Sequence, residues 1–227
     1  MTPELHSTNT STKALRNKLW RETNASYLRD LRFVCRSVKR RHIQMIKSSP
    51  CMDCGNSYIK EAMTFDHRQN EVKSYNIFRL VNHPTASLEK LKSELTKCDL
   101  VCVGCHRDRS NSRLLPYVTT CPVHRPKYVS GCKKCIHYTS LSRLRAKRLA
   151  MIREFKNKPC VDCLNKYDPW KMDFDHVIDK LDNVSNLVGC QASFNRIVSE
   201  IHKCEIVCCW CHVNRTVSRM EAQNDKF

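Results

Sequence analysis

Apolar positions along the chain fall into short runs whose period changes and then repeats. From Lys13 to Lys47 apolar residues recur at Leu28, Leu31 and Val34, then at Val38, Met45 and Ile46, a broken three-to-four spacing that predicts helix. Met63-Thr64-Phe65-Asp66 alternates, with Met and Phe on one face and polar residues on the other, as in a half-buried strand. Leu88, Leu91 and Leu95 then mark an amphipathic helix, and Leu100-Val101 a short apolar strand leading into Cys102-Val103-Gly104-Cys105-His106 and a polar helix. The same order returns: Leu141, Leu144, Leu149 and Ile152 in a basic helix, Met172-Asp173-Phe174-Asp175 in a strand, and Phe194, Ile197, Val198 and Ile201 in an amphipathic helix. An apolar strand then runs into Cys208-Cys209-Trp210-Cys211-His212 and a final helix.

The recurrence is a tandem duplication. Pro50-Cys51-Met52-Asp53-Cys54 returns as Pro159-Cys160-Val161-Asp162-Cys163, and Phe65-Asp66-His67 as Phe174-Asp175-His176, both 109 residues later. Lys97-Cys98-Asp99-Leu100-Val101-Cys102 matches Lys203-Cys204-Glu205-Ile206-Val207-Cys208 at an offset of 106, so the second copy is three residues shorter between its His and its second cysteine pair. The predicted organisation is a basic helical region (1–48), a first module (49–115), a linker (116–138), a basic helix (139–157), a second module (158–220) and a tail (221–227).

Composition narrows the chemistry. The 227 residues carry 40 Lys and Arg against 22 Asp and Glu, a formal charge of +18, which points to a polyanionic partner. The first twelve residues are polar and no apolar run of membrane-spanning length occurs, so neither a secretory signal nor a membrane span is expected. The 16 cysteines, outside a secretory context, read as metal ligands rather than disulfides. Cys51, Cys54, Cys102 and Cys105 form one expected zinc site, Cys160, Cys163, Cys208 and Cys211 a second, and Cys121, His124, Cys132 and Cys135 a third in the linker. Cys209 aligns with Val103 and is not expected to ligate; Cys98 and Cys204 read as small buried apolar residues. Zinc would stabilise modules whose cores are thin.

The remaining pairs carry chemistry. Asp66-His67 and Asp175-His176 end strands, while His106 and His212 follow the last zinc cysteine at a helix start. A carboxylate and an imidazole brought together there would hold a divalent cation, leaving His67 or His176 to activate water, which is what phosphodiester hydrolysis needs. With acids nearly absent from Lys13–Lys47, where 11 Lys and Arg face only Glu22 and Asp30, a phosphate-facing helix surface is expected.

The order Cys-x-x-Cys, Phe-Asp-His, Lys-x-x-Asn, Lys-Cys-x-[Leu/Ile]-Val-Cys-x-x-Cys-His resembles the zinc-containing HNH (His-Me finger) endonucleases common in phages and mobile elements, over about 50–113 and 159–219. The resemblance implies an α+β fold of two zinc-stabilised ββα modules with basic helices and a zinc-knuckle linker. It implies that His176 is the general base, that Asp175 and His212 hold the catalytic cation, and that Asn183 orders the loop beside the base. His67, Asp66, His106 and Asn76 take those roles in the first copy, and Arg109 and Arg215, one turn beyond the metal His, are candidate phosphate clamps. The first copy departs at Phe78, where the second has Ser185, and carries Asn82-His83-Pro84 in its loop. The expected activity is metal-dependent hydrolysis of DNA, in preference to RNA, with three structural Zn²⁺ and a catalytic Mg²⁺ or Mn²⁺ (Zn²⁺ or Ni²⁺ also suit a His ligand). A monomer in the cytoplasm of a bacterium or phage-infected host is expected, with no small-molecule cofactor and no membrane partner. The alternatives are a non-catalytic zinc-dependent nucleic-acid-binding protein on degenerate modules, and a virion- or ribosome-associated structural protein.

Overall fold

The computed structural model describes residues 8–113, 121, 123–124, 129–190 and 192–224. The linker and tail expectations therefore lie partly outside the described residues. The chain is mixed α/β: α1 (Thr8–Thr23), α2 (Ala25–Ile46), β1 (Met63–His67), α3 (Ile77–Asn82), α4 (Leu88–Leu95), β2 (Cys98–Cys102), α5 (Val103–Ser112), α6 (Lys133–Lys156), β3 (Met172–His176), α7 (Val184–Gly189), α8 (Phe194–Ile201), β4 (Cys204–Cys208) and α9 (Cys209–Asn224). β1 pairs with β2, and β3 with β4. Among the described residues no helix is long and apolar enough to cross a membrane.

Two compact units result: residues 1–60 with 65–100, and residues 61–64 with 101–227. The division does not follow the repeat, because α5 groups with the second copy. In the first unit the predicted basic helix is two helices. Asn24 breaks it, and its amide donates to the Trp20 carbonyl 2.8 Å away, capping the end of α1. Ile43 of α2 packs with Leu80 and Val81 of α3 and Leu91 and Leu95 of α4, with Phe65 against them.

The second unit builds the same core from Val184, Leu187, Ile197 and Ile201, with Met151, Ile152, Phe155 and Phe174 around it. A second cluster, Cys160, Met172, Val207 and Cys208 with Tyr167 and Trp210, sits at a cysteine tetrad. β3 and β4 pair antiparallel with Met172 opposite Cys208 and His176 opposite Cys204. α6 begins at Lys133, inside the linker, earlier than its apolar period suggested, because Cys132 starts it.

Two features correct the sequence reading. The basic helices do not send every cation outward. Lys39 is 2% exposed, and its ammonium donates to the carbonyls of Leu80, His83 and Ala86 at 2.9, 2.6 and 3.1 Å, using all three of its protons. Its repeat counterpart Arg148, also buried, donates to the Ala192 carbonyl at 2.8 Å. These cations dock α2 and α6 onto the loops that follow α3 and α7, so they are not phosphate contacts. The strands are not simply amphipathic either: Asp66 and Asp175 are buried, while Phe65 and Phe174 are only half-buried.

Candidate metal centres and the cleft of the second repeat

Three groups of Cys and His offer one ligand atom per residue, all within 4.8 Å of one another in each group: Cys51, Cys54, Cys102, Cys105; Cys121, His124, Cys132, Cys135; and Cys160, Cys163, Cys208, Cys211. A tetrahedron with Zn–S bonds of about 2.3 Å sets its sulfurs about 3.8 Å apart. Cys163 and Cys208 Sγ stand 3.9 Å apart, Cys121 Sγ and His124 Nδ1 3.8 Å, and His124 Nδ1 and Cys135 Sγ 3.4 Å. The donor sets and spacings fit three structural zinc ions. Backbone N–H groups support the thiolates: Cys208 N–H donates to Cys160 Sγ at 3.2 Å, and Cys211 N–H to Cys208 Sγ at 3.5 Å. Burial disfavours the Cys160 thiolate, but the backbone amides of Cys163, Cys208 and Asp162 outweigh it and bring its pKa down to about 7.

Cys209 joins no tetrad; it is buried and its pKa is pushed up to about 12 by that burial. Cys98 and Cys204 are half-buried thiols that donate to the carbonyls of Glu94 and Glu200 at 3.4 and 3.3 Å.

In the second repeat, a cleft of about 630 Å³ is lined by Asp175, His176, Asn183 and His212 together, with Lys156 and Arg219 beside them. β3 brings Asp175 and His176 to it, and the first turn of α9 brings His212. His212 Nε2 faces Asp175 Oδ1 at 3.6 Å, and its Nδ1 lies 3.1 Å from Asp173 Oδ2. Asp175 is held by both guanidinium nitrogens of Arg219 at 2.8 and 2.7 Å and by Arg215 at 2.8 Å, and these contacts keep its pKa at about 2. Burial lowers the pKa of Lys156, whose ammonium lies 5.1 Å from the Phe174 ring centre.

His176 is not left free. Its Nε2 lies 3.0 Å from Glu200 Oε1, and Glu200 also accepts from the backbone N–H groups of Leu181 and Asp182 at 3.0 and 3.1 Å and from Lys203 at 3.0 Å. The Asp182 amide is the strongest influence; against burial, these donors hold the Glu200 pKa at about 2. An ionised carboxylate can only accept, so His176 carries its proton on Nε2 and keeps Nδ1 as the basic nitrogen. The first repeat has the same arrangement: His67 Nε2 lies 2.8 Å from Glu94 Oε1, which accepts from Ser74 N–H, Tyr75 N–H and carries Lys97 on its other oxygen. The two glutamates were missed in the sequence. The signal was there: a Glu on the apolar face of an amphipathic helix, repeated as Glu94-x-x-Lys97 and Glu200-x-x-Lys203.

No family model matches the chain, and neither does a curated protein or a solved structure.

The other predicted residues are placed as follows. Asn76 caps α3, its side chain accepting the Arg79 N–H at 3.2 Å, whereas Asn183 occupies the matching position before α7 with no such bond and lines the cleft. Asp66 is buried on β1, and His106 and Arg109 lie on α5. Arg215 is not available as a phosphate clamp. Its guanidinium is paired with Asp162, Asp175 and Glu205, and those carboxylates raise its pKa further. Arg219 lines the cleft with half its side chain exposed, but both its terminal nitrogens lie on Asp175.

Proposed function

We propose that the chain is a metal-dependent nuclease whose better-formed site is the cleft of the second repeat, and that the resemblance to zinc-containing HNH endonucleases reflects a shared ββα active unit. The observation that carries this reading is the meeting of Asp175, His176, Asn183 and His212 in one cleft. Asp175, His176 and His212 come from the repeated Asp-His and Cys-His pairs and Asn183 from the resemblance, and the first and last of the four lie 37 positions apart in the chain.

The donor set suits a divalent cation: one carboxylate and one imidazole, with room in the cleft for water and phosphate oxygens. Bound by Asp175 and His212, a cation would stabilise negative charge on the scissile phosphate. His176 takes a proton from the attacking water on Nδ1. Glu200 holds the ring in place through Nε2 and stabilises the imidazolium that results. Lys156 and Lys180 line the cleft and draw in the phosphodiester. DNA is the expected substrate. The test is incubation of the purified chain with supercoiled plasmid and Mg²⁺ or Mn²⁺: nicking that depends on the metal, and that falls at least about 100-fold when His176→Ala is added to His67→Ala, supports it.

One observation favours the second reading, a non-catalytic nucleic-acid-binding protein. Arg215 and Arg219 occupy the carboxylate that a cation would need. Plasmid that is bound but never nicked, in any metal, would decide for it.

A further inference from the structure

α5 packs on the second repeat through residues that the two copies do not share. Gly104, Arg107 and Asp108 correspond to Trp210, Val213 and Asn214, while Trp170, Lys171 and Asp173 correspond to Glu61, Ala62 and Thr64. Asp108 accepts from Trp170 Nε1 at 2.8 Å and pairs with Lys171 at 2.7 Å. Arg107 grips Asp173 with both terminal nitrogens, at 2.9 and 2.7 Å, and donates to the Trp170 carbonyl at 3.2 Å. A planar guanidinium on a carboxylate fixes both its position and its orientation.

Asp173 in turn faces His212. Its Oδ2 lies 3.1 Å from Nδ1, and His212 Nε2 points at Asp175 Oδ1. A carboxylate held by arginine only accepts, so the ring's proton belongs on Nδ1 and the lone pair of the neutral imidazole on Nε2. That lone pair is on the Asp175 side. An acceptor on the far nitrogen of a ligating histidine fixes which nitrogen can bind a metal. The first repeat has Thr64 where Asp173 stands.

We propose that Asp173, clamped by Arg107 of the first repeat, is a positioning residue that presents His212 Nε2 to the cation, so that the first repeat completes the second repeat's site. The inference rests on the reading of Asp175 and His212 as cation ligands.

The test uses the full, zinc-loaded chain and two readouts. The first is nitrogen NMR of ¹⁵N-labelled histidine at pH 8 without added Mn²⁺ or Mg²⁺, with His212 assigned by its loss in His212→Gln. Wild type should carry the proton on Nδ1, and Asp173→Thr should lose that preference. The second is Mn²⁺ affinity by electron paramagnetic resonance. Asp173→Thr should weaken it by about 10- to 100-fold, Arg107→Ala in the same direction, and Arg107→Lys less than Arg107→Ala. An unchanged zinc content shows that each variant is folded; if Asp173→Thr loses zinc, Arg107→Lys carries the comparison. A wild-type His212 protonated on Nε2, or folded variants that bind Mn²⁺ like wild type, overturns the inference and leaves the nuclease reading standing. A wild type that binds no Mn²⁺ overturns the cation site itself.

Discussion

Gly104 lies against the indole of Trp210: a Cβ at Gly104 would stand 2.0 Å from Cζ2 and 2.4 Å from Cη2. The ring has little freedom to yield, because it stacks at a tilt on Tyr167, 5.1 Å between centres, beside the buried Cys160 cluster. Alanine would gain up to about 1 kcal/mol of helix propensity, but overpacking of this kind costs about 1–3 kcal/mol. Gly104→Ala should therefore lower the urea midpoint and alter Trp fluorescence, and an equal or raised midpoint would show that the ring moves freely.

Elemental analysis of the purified chain should find about three zinc ions. Cys160→Ser should lose one of them and unfold the Met172–Val207 cluster, seen as a loss of near-ultraviolet circular dichroism. Cys209→Ser should keep all three, although Cys209 is as buried as the ligand Cys208.

Glu200 has a folded pKa of about 2, below the ordinary value of 4.5. A carboxylate lowered in the folded state stabilises fully above the unfolded value and loses that contribution as pH falls from there towards the folded value. Glu200→Gln should therefore be less stable than wild type at pH 7, and the gap between their urea midpoints should narrow from about pH 5 downwards. A gap that widens in acid would refute the assignment. The same substitution should slow metal-dependent nicking, because Nε2 of His176 loses its anionic partner.

Both repeats keep the His–Glu pair, so two competent sites of unequal strength are expected. The second has Asn183 and Ser185 lining its cleft, whereas the first places Phe78, three-quarters exposed, at the Ser185 position. On supercoiled plasmid, His67→Ala and His176→Ala should each still give nicked circles, faster for His67→Ala, and the double variant none. If His176→Ala alone abolishes nicking, the first repeat grips nucleic acid and does not cut.

Much of the architecture was legible because spacing carried it. The cysteine pairs, strands β1 and β3 and helices α4 and α8 each leave a period or a repeat in the sequence. The six-residue helices α3 and α7 do not, since fewer than two turns give no period to read. Charge counting also misread direction. Lys39 and Arg148 look like their exposed neighbours in sequence, and only the carbonyls at the ends of α3 and α7 explain their burial. Arg107 and Asp173 were invisible for another reason: 66 residues separate them, and attention to what the repeats share passes over what they do not.

A head-to-tail contact between identical units would present its mating face again at the far end and add copy after copy. Here the far end lacks it. α9 carries Trp210, Val213 and Asn214 where α5 carries Gly104, Arg107 and Asp108, so at those positions it has neither the glycine that receives the indole nor the arginine that grips Asp173. Glu61, Ala62 and Thr64 likewise lack the indole N–H and the ammonium that hold Asp108 and the aspartate that holds Arg107. The divergence of the two copies therefore makes this contact one-directional: the face that α5 presents is not presented again by α9.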